Sequence, residues 1–114
     1  MLLTVCFLMC GCGEVKKATV QEINCGKKSE LINEGATLID VRSATEYSIS
    51  HLDGAINIDV QVIGDVIETQ IPDKNTSIIV YCQSGSRSKK AADTLIEKGY
   101  TNVYDLGSID NCQN

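Results

Sequence analysis

One cysteine in this chain stands where a nucleophile would be built. The stretch Ile78-Ile79-Val80-Tyr81-Cys82-Gln83-Ser84-Gly85-Ser86-Arg87-Ser88 runs from a strand-like apolar pattern into a cysteine, then into a small polar loop. From Ser88 onward, Ala91, Ala92, Leu95 and Ile96 recur at the spacing of one helix face. A cysteine at a strand's carboxyl end, ahead of a loop that opens a helix, sits where backbone N–H groups converge and the helix dipole is positive. Such surroundings favour a thiolate and can cradle an anion beside it. Gly85 can take the positive φ that a nest of inward-turned amides requires. Gln83 and Ser84 complete the small loop, Ser86 and Ser88 offer hydroxyl donors, and Arg87 adds a fixed charge with a fork suited to oxyanions. Cys82 is therefore read as reactive rather than as a buried structural thiol. The same cradle would stabilise a persulfide anion on it. An ionised cysteine needs no separate general base, which suits a chain whose only histidine is His51.

The elements that must hold this loop alternate. Short strands are expected over 19–23, 37–41, 55–58, 77–81 and 102–105. Helices are expected over 27–33, over 44–49, through Val60, Ile63, Val66 and Ile67 up to Ile71-Pro72, and over 88–98. This rhythm predicts an α/β domain, a mostly parallel five-stranded sheet with helices on both faces. Ligands bind such sheets at the carboxyl ends of the strands. Cys82 lies there, and so does Asp40-Val41-Arg42.

With 114 residues and 43% hydrophobic content, the chain suits one small domain with a single core. Its net charge of -5 argues against non-specific nucleic-acid binding. Residues 1–12 differ from the rest: an uncharged apolar run of about nine residues is followed by Cys10-Gly11-Cys12. The run is too short for the roughly 20 residues a bilayer span needs, but it suits the core of a signal peptide. A small residue and then cysteine after such a run resembles the lipobox of bacterial lipoproteins, although no lysine or arginine precedes it. The expectation is a signal over 1–12, lipidation at Cys12, a linker over 13–18 and the folded domain over 19–114. That places the protein outside the cytoplasm, in the periplasm or cell envelope and lipid-anchored; without a signal it would be cytoplasmic. Of the six cysteines, only Cys25, Cys82 and Cys112 lie in the body. A zinc site is not expected, because Cys10 and Cys12 have no second ligand pair. Cys25 and Cys112 could pair in an oxidising compartment, but spacing alone cannot bring their Cα atoms into range.

Two stretches carry a family resemblance. Cys82-Gln83-Ser84-Gly85-Ser86-Arg87-Ser88 is similar to the loop Cys-x-x-Gly-x-Arg-Ser of single-domain rhodaneses. Leu38-Ile39-Asp40-Val41-Arg42, then Glu46-Tyr47, then His51-Leu52-Asp53-Gly54-Ala55-Ile56-Asn57-Ile58 resembles that family's other signature. The resemblance implies a sulfurtransferase. Cys82 would take sulfane sulfur from a small-molecule donor such as thiosulfate and pass it to cyanide or a thiol, with no metal or organic cofactor. Residues Gln83 to Ser88 would bind substrate. Asp40, Arg42 and Glu46 would tie the second strand to the following helix, and His51 would be a hydrogen-bonded turn residue. Lys89 and Lys90 either raise the potential around the site or form an ordinary solvated face. The chain departs from the family at Ser50, Asp53, Ser108 (in place of a glycine) and Cys112 (in place of a common tryptophan). The last two put packing near the C-terminus in doubt.

Two other readings compete. A cysteine phosphatase or arsenate reductase would share the thiolate, the ring of amides and the arginine. Those phosphatases use a longer loop than the four residues, Gln83 to Ser86, found here. A non-catalytic rhodanese-like binding module is the reading from a different class. Such modules commonly lose the cysteine or the loop, and this chain keeps both.

Overall fold

Apolar residues that alternate along the central strands feed two separate cores, one on each side of a sheet. The computed structural model describes residues 18–112. The expected signal with Cys12, and the expected linker up to residue 17, lie outside the described residues. In chain order the elements are β1 (Gln21–Glu22), α1 (Cys25–Asn33), β2 (Thr37–Asp40), α2 (Ala44–Ile49) and β3 (Ile56–Asn57). They continue with α3 (Ile63–Gln70), β4 (Ser77–Cys82), α4 (Ser86–Glu97), β5 (Asn102–Ser108) and a closing 3-10 helix, Ile109–Cys112. The five strands lie in the order β1-β5-β4-β2-β3, and every pairing is parallel. The expected α/β sheet is present, parallel throughout.

Along β2 and β4, Ile39, Ile78, Val80 and Cys82 pack with Ile63 and Ile67 of α3 and Ala91, Ala92 and Leu95 of α4. Their neighbours Leu38, Ile79 and Tyr81 face the other way, onto Leu31 of α1, Leu52, Ala55 and Ile109. The period of two along each strand thus divides one sheet between two helical layers. The edge strands β1 and β3 are shorter than expected, at two residues each. An edge strand has one neighbour to pair with, so its ladder ends sooner.

Two boundaries shift where they matter. The helix α4 begins at Ser86 rather than Ser88, because Gly85 takes the left-handed conformation (φ 103°) as its N-cap. The strand β5 runs on to Ser108 through an irregularity. Val80 pairs with Asp105 but Tyr81 pairs with Gly107, which leaves Leu106 as the extra residue. This offset sets Ser108 opposite Cys82, and so brings the end of the last strand to the loop. At the far end of the chain, Cys25 at the start of α1 is bonded to Cys112, with Cα atoms 5.3 Å apart.

Candidate active site

The strand β4 delivers Cys82 fully buried at the carboxyl edge of the sheet, and it is the free cysteine of the described residues. Its Sγ accepts hydrogen bonds from the backbone amides of Gly85, at 3.0 Å, and Ser88, at 3.3 Å. A helix normally satisfies its third amide with a side-chain oxygen at the N-cap. In α4 the N-cap is Gly85 and offers no side chain, so the sulfur of Cys82 fills that place. The sequence could place a cysteine near a helix start. That the sulfur itself caps the helix follows from the left-handed turn at Gly85. Among the described residues, the amides of Ser84, Ser86 and Arg87 find no acceptor in the protein. They remain available to an anion.

Several side chains expected in the cradle are engaged elsewhere. The guanidinium of Arg87 does not hang free over the loop; it grips Glu46 in a two-pronged pair, Nη1 to Oε1 at 2.7 Å and Nη2 to Oε2 at 3.0 Å. Oε1 also accepts from the amide and hydroxyl of Ser43; the amide bond, with the return bond from the Glu46 amide to Ser43 Oγ, forms the capping box that starts α2. Arg87 therefore lends no uncompensated charge to the loop, because a carboxylate 41 residues away in sequence claims it first. Ser88 donates its hydroxyl to the carbonyl of Gly85, at 3.1 Å, and meets the sulfur only through its amide. The side chains of Ser84 and Ser86 are exposed.

Gln83 is held at both ends. Its Oε1 accepts from Nη1 of Arg42 at 3.1 Å, and its carbonyl accepts from Oγ of Ser108 at 2.7 Å. It thus anchors the loop. Arg42 is the hub behind it. Its Nε and Nη2 bind the buried carboxylate of Asp40, and Nη2 also donates to the carbonyl of Ser50 at 2.6 Å. Asp40 and Arg42 accordingly join β2 to the end of α2 and to the loop after Cys82, whereas Glu46 joins the start of α2 to α4. His51 sits outside this network: its Nδ1 lies 2.8 Å from the carbonyl of Tyr47, and its ring stacks on that tyrosine.

The charges behave as these contacts dictate. Arg87, with help from the amide of Ser43, holds the carboxyl of Glu46 down to about 2. Glu46 in turn raises Arg87, and the nearby Cys82 adds to that rise. Asp40 raises Arg42 in the same way. Burial pushes the hydroxyl of Tyr81 upward, although the amide of Leu52 donates to it at 3.0 Å and opposes the shift.

Two supporting residues escaped the sequence reading. Ser108, which in sequence puts packing near the C-terminus in doubt, instead clamps Gln83 through its hydroxyl. Asn57 donates from Nδ2 to the carbonyls of Asp40, at 3.0 Å, and Arg42, at 2.9 Å, and so fixes the end of β2. A polar residue inside an otherwise apolar strand pattern was the available signal for Asn57; Ser108 offered none. A cleft of about 300 Å³ adjoins the loop and is lined by Gly85, Lys89, Asp105 and Asn111 among others. Cys82 does not line it. This cleft therefore lies beside Cys82 rather than over it.

Comparison with known proteins agrees with this geometry. The family model described as a rhodanese-like domain matches residues 26–114. The chain is 42% identical over 71 residues to the thiosulfate sulfurtransferase PspE of Escherichia coli, covering 62% of this chain and 68% of that protein. It is 35% identical over 80 residues to a tRNA uridine(34) hydroxylase of Buchnera aphidicola, covering 67% of this chain but 26% of that protein. Among solved structures, an E. coli rhodanese with anions superposes with a TM-score of 0.65 at 39% identity, over 68% of this chain and 91% of that one.

Proposed function

The chain belongs to the rhodanese-like domain family, and from that premise we propose that it is a sulfurtransferase that carries sulfane sulfur on Cys82. The observation that carries this reading is the convergence of the Gly85 and Ser88 amides on Sγ. Two fixed donors, aligned with a helix N-terminus, stabilise negative charge on the sulfur without any reorganisation. The thiolate attacks the outer sulfur of thiosulfate. The bond between the two donor sulfurs breaks, and sulfite leaves with the bonding pair. The product is a persulfide whose terminal sulfur lies one bond further out, toward the open amides of Ser84, Ser86 and Arg87. An acceptor, cyanide or a thiol, then attacks that outer sulfur and restores the thiolate of Cys82. Cys82 has no exposed surface, so the loop of small residues above it must shift to admit a donor.

A relay of this kind predicts ping-pong kinetics, with parallel double-reciprocal lines as the acceptor is varied. Intersecting lines would mean that both substrates bind together, and would overturn the persulfide relay.

The same proposal places the domain outside the cytoplasm, anchored through Cys12. Its support is the apolar segment ahead of Cys12 and the Cys25–Cys112 bond, which persists in oxidising compartments. Expression of the full chain in a bacterium, with Cys12→Ser alongside, tests it. The unaltered protein is expected in the membrane fraction and the variant in the soluble fraction; equal partition of the two would refute lipidation.

A further inference from the structure

Both guanidinium groups at the Cys82 loop already have a carboxylate. Arg87 is committed to Glu46 by two hydrogen bonds, and Glu46 is fixed from behind by the amide and hydroxyl of Ser43. Arg42 is 4% exposed and bound to Asp40. Lys89 lines the neighbouring cleft, but it shares that cleft with Glu22 and Asp105. Asp59 adds a further negative charge within reach of Arg87. Apart from Lys89 in that cleft, what remains for an incoming anion is a set of backbone amides at a helix start, equivalent to roughly half a positive charge. A donor must approach a sulfur that is itself anionic. Thiosulfate brings two more negative charges to that sulfur, whereas a thiosulfonate brings one.

Resting on the sulfurtransferase reading above, we infer that Glu46 is a specificity-determining residue: by neutralising Arg87 it tunes the site toward sulfane donors with a single negative charge and against the thiosulfate dianion. Glu46 touches no reacting atom and acts through Arg87. Released from its carboxylate, Arg87 is long enough to turn its fork to the loop it belongs to and meet a sulfonate oxygen.

Two donors with the same leaving chemistry isolate charge. In thiosulfate the sulfane sulfur leaves a sulfite; in methanethiosulfonate it leaves a methanesulfinate. In both, the thiolate of Cys82 forms a new S–S bond, the old S–S bond breaks, and the leaving group keeps the electron pair. The experiment compares kcat/KM for thiosulfate and methanethiosulfonate in the unaltered protein, Glu46→Gln, and Glu46→Gln combined with Arg87→Gln. Glutamine still accepts from Ser43, so the capping box and the start of α2 survive. Glu46→Gln is expected to raise the thiosulfate-to-methanethiosulfonate ratio roughly tenfold, mainly through a lower KM for thiosulfate, the scale of one unit charge at a partly exposed site. The double variant is expected to lose that gain, because the released arginine is gone. An unchanged ratio in Glu46→Gln, or a gain that survives removal of Arg87, would overturn the inference and leave the sulfur relay standing. If neither donor loads sulfur onto Cys82 in the folded protein, both are wrong.

Discussion

Arg42 meets Asp40 at 2.8 Å and Arg87 meets Glu46 at 2.7 Å, so distance does not tell the two pairs apart. Burial does. The side chains of the first pair are 4% and 0% exposed, those of the second 37% and 33%. Arg42 is enclosed beneath the loop, near the ring of Tyr81, with further partners in Ser50 and Gln83. Arg87 lies at the rim with Glu46 alone. The same ion pair therefore serves two purposes at one edge of the sheet: inside, it is a fixed joint that shapes the loop, and outside, it is a latch that sets the charge the loop presents. Water is the reason. A buried charge that loses its partner cannot be rehydrated, whereas an exposed one can.

The sharpest way to break this contrast is to remove one arginine at a time. Arg42→Ala leaves the Asp40 carboxylate buried without its cation, and is expected to cost about 3–5 kcal/mol of stability by chemical denaturation. A cost near zero would mean that water reaches Asp40. The Cys25–Cys112 bond is the reference for a tie that owes nothing to charge. It closes most of the chain, its ends 87 positions apart, and its reduction is expected to cost about 2–4 kcal/mol. Arg87→Ala is expected to cost at most about 1 kcal/mol, in keeping with exposed ion pairs. A loss as large as that of Arg42→Ala would erase the distinction.

Acid should separate the latch from the joint with the smallest signal. Glu46 ionises near 2 in the folded chain against an ordinary 4.5. Its folded value is the lower one, so its contribution to stability is complete above about pH 4.5 and drains away as pH falls toward 2. Melting temperature followed across that window should fall less steeply in Glu46→Gln than in the unaltered protein. Identical slopes would show that Glu46 gains nothing from Arg87 on folding.

Much of this was legible in the sequence. The parallel sheet could be read because Leu38-Ile39 and Ile78-Ile79-Val80 are short apolar runs separated by helix-period segments, and Cys82 stood out because a glycine-bearing loop follows it. The partners of the loop's polar residues could not be read. Arg87 finds Glu46 across 41 positions, and Gln83 finds Arg42 across the same span. Such contacts depend on strand order, which local spacing does not encode. Ser108 was misread for a related reason: only the extra residue Leu106 in β5 brings its hydroxyl to Gln83. The early start of α4 escaped because its N-cap, Gly85, carries no capping side chain, and the sulfur of Cys82 does that work from outside the helix.

The central claim is that Cys82 becomes a persulfide, and intact mass spectrometry tests it most directly. The protein lacking residues 1–12 is incubated with thiosulfate and with methanethiosulfonate, alongside Cys82→Ser. The account predicts a gain of one sulfur atom that cyanide reverses and that is absent from the variant. A folded protein that gains no sulfur from either donor, or a Cys82→Ser variant that still gains it, would contradict the account.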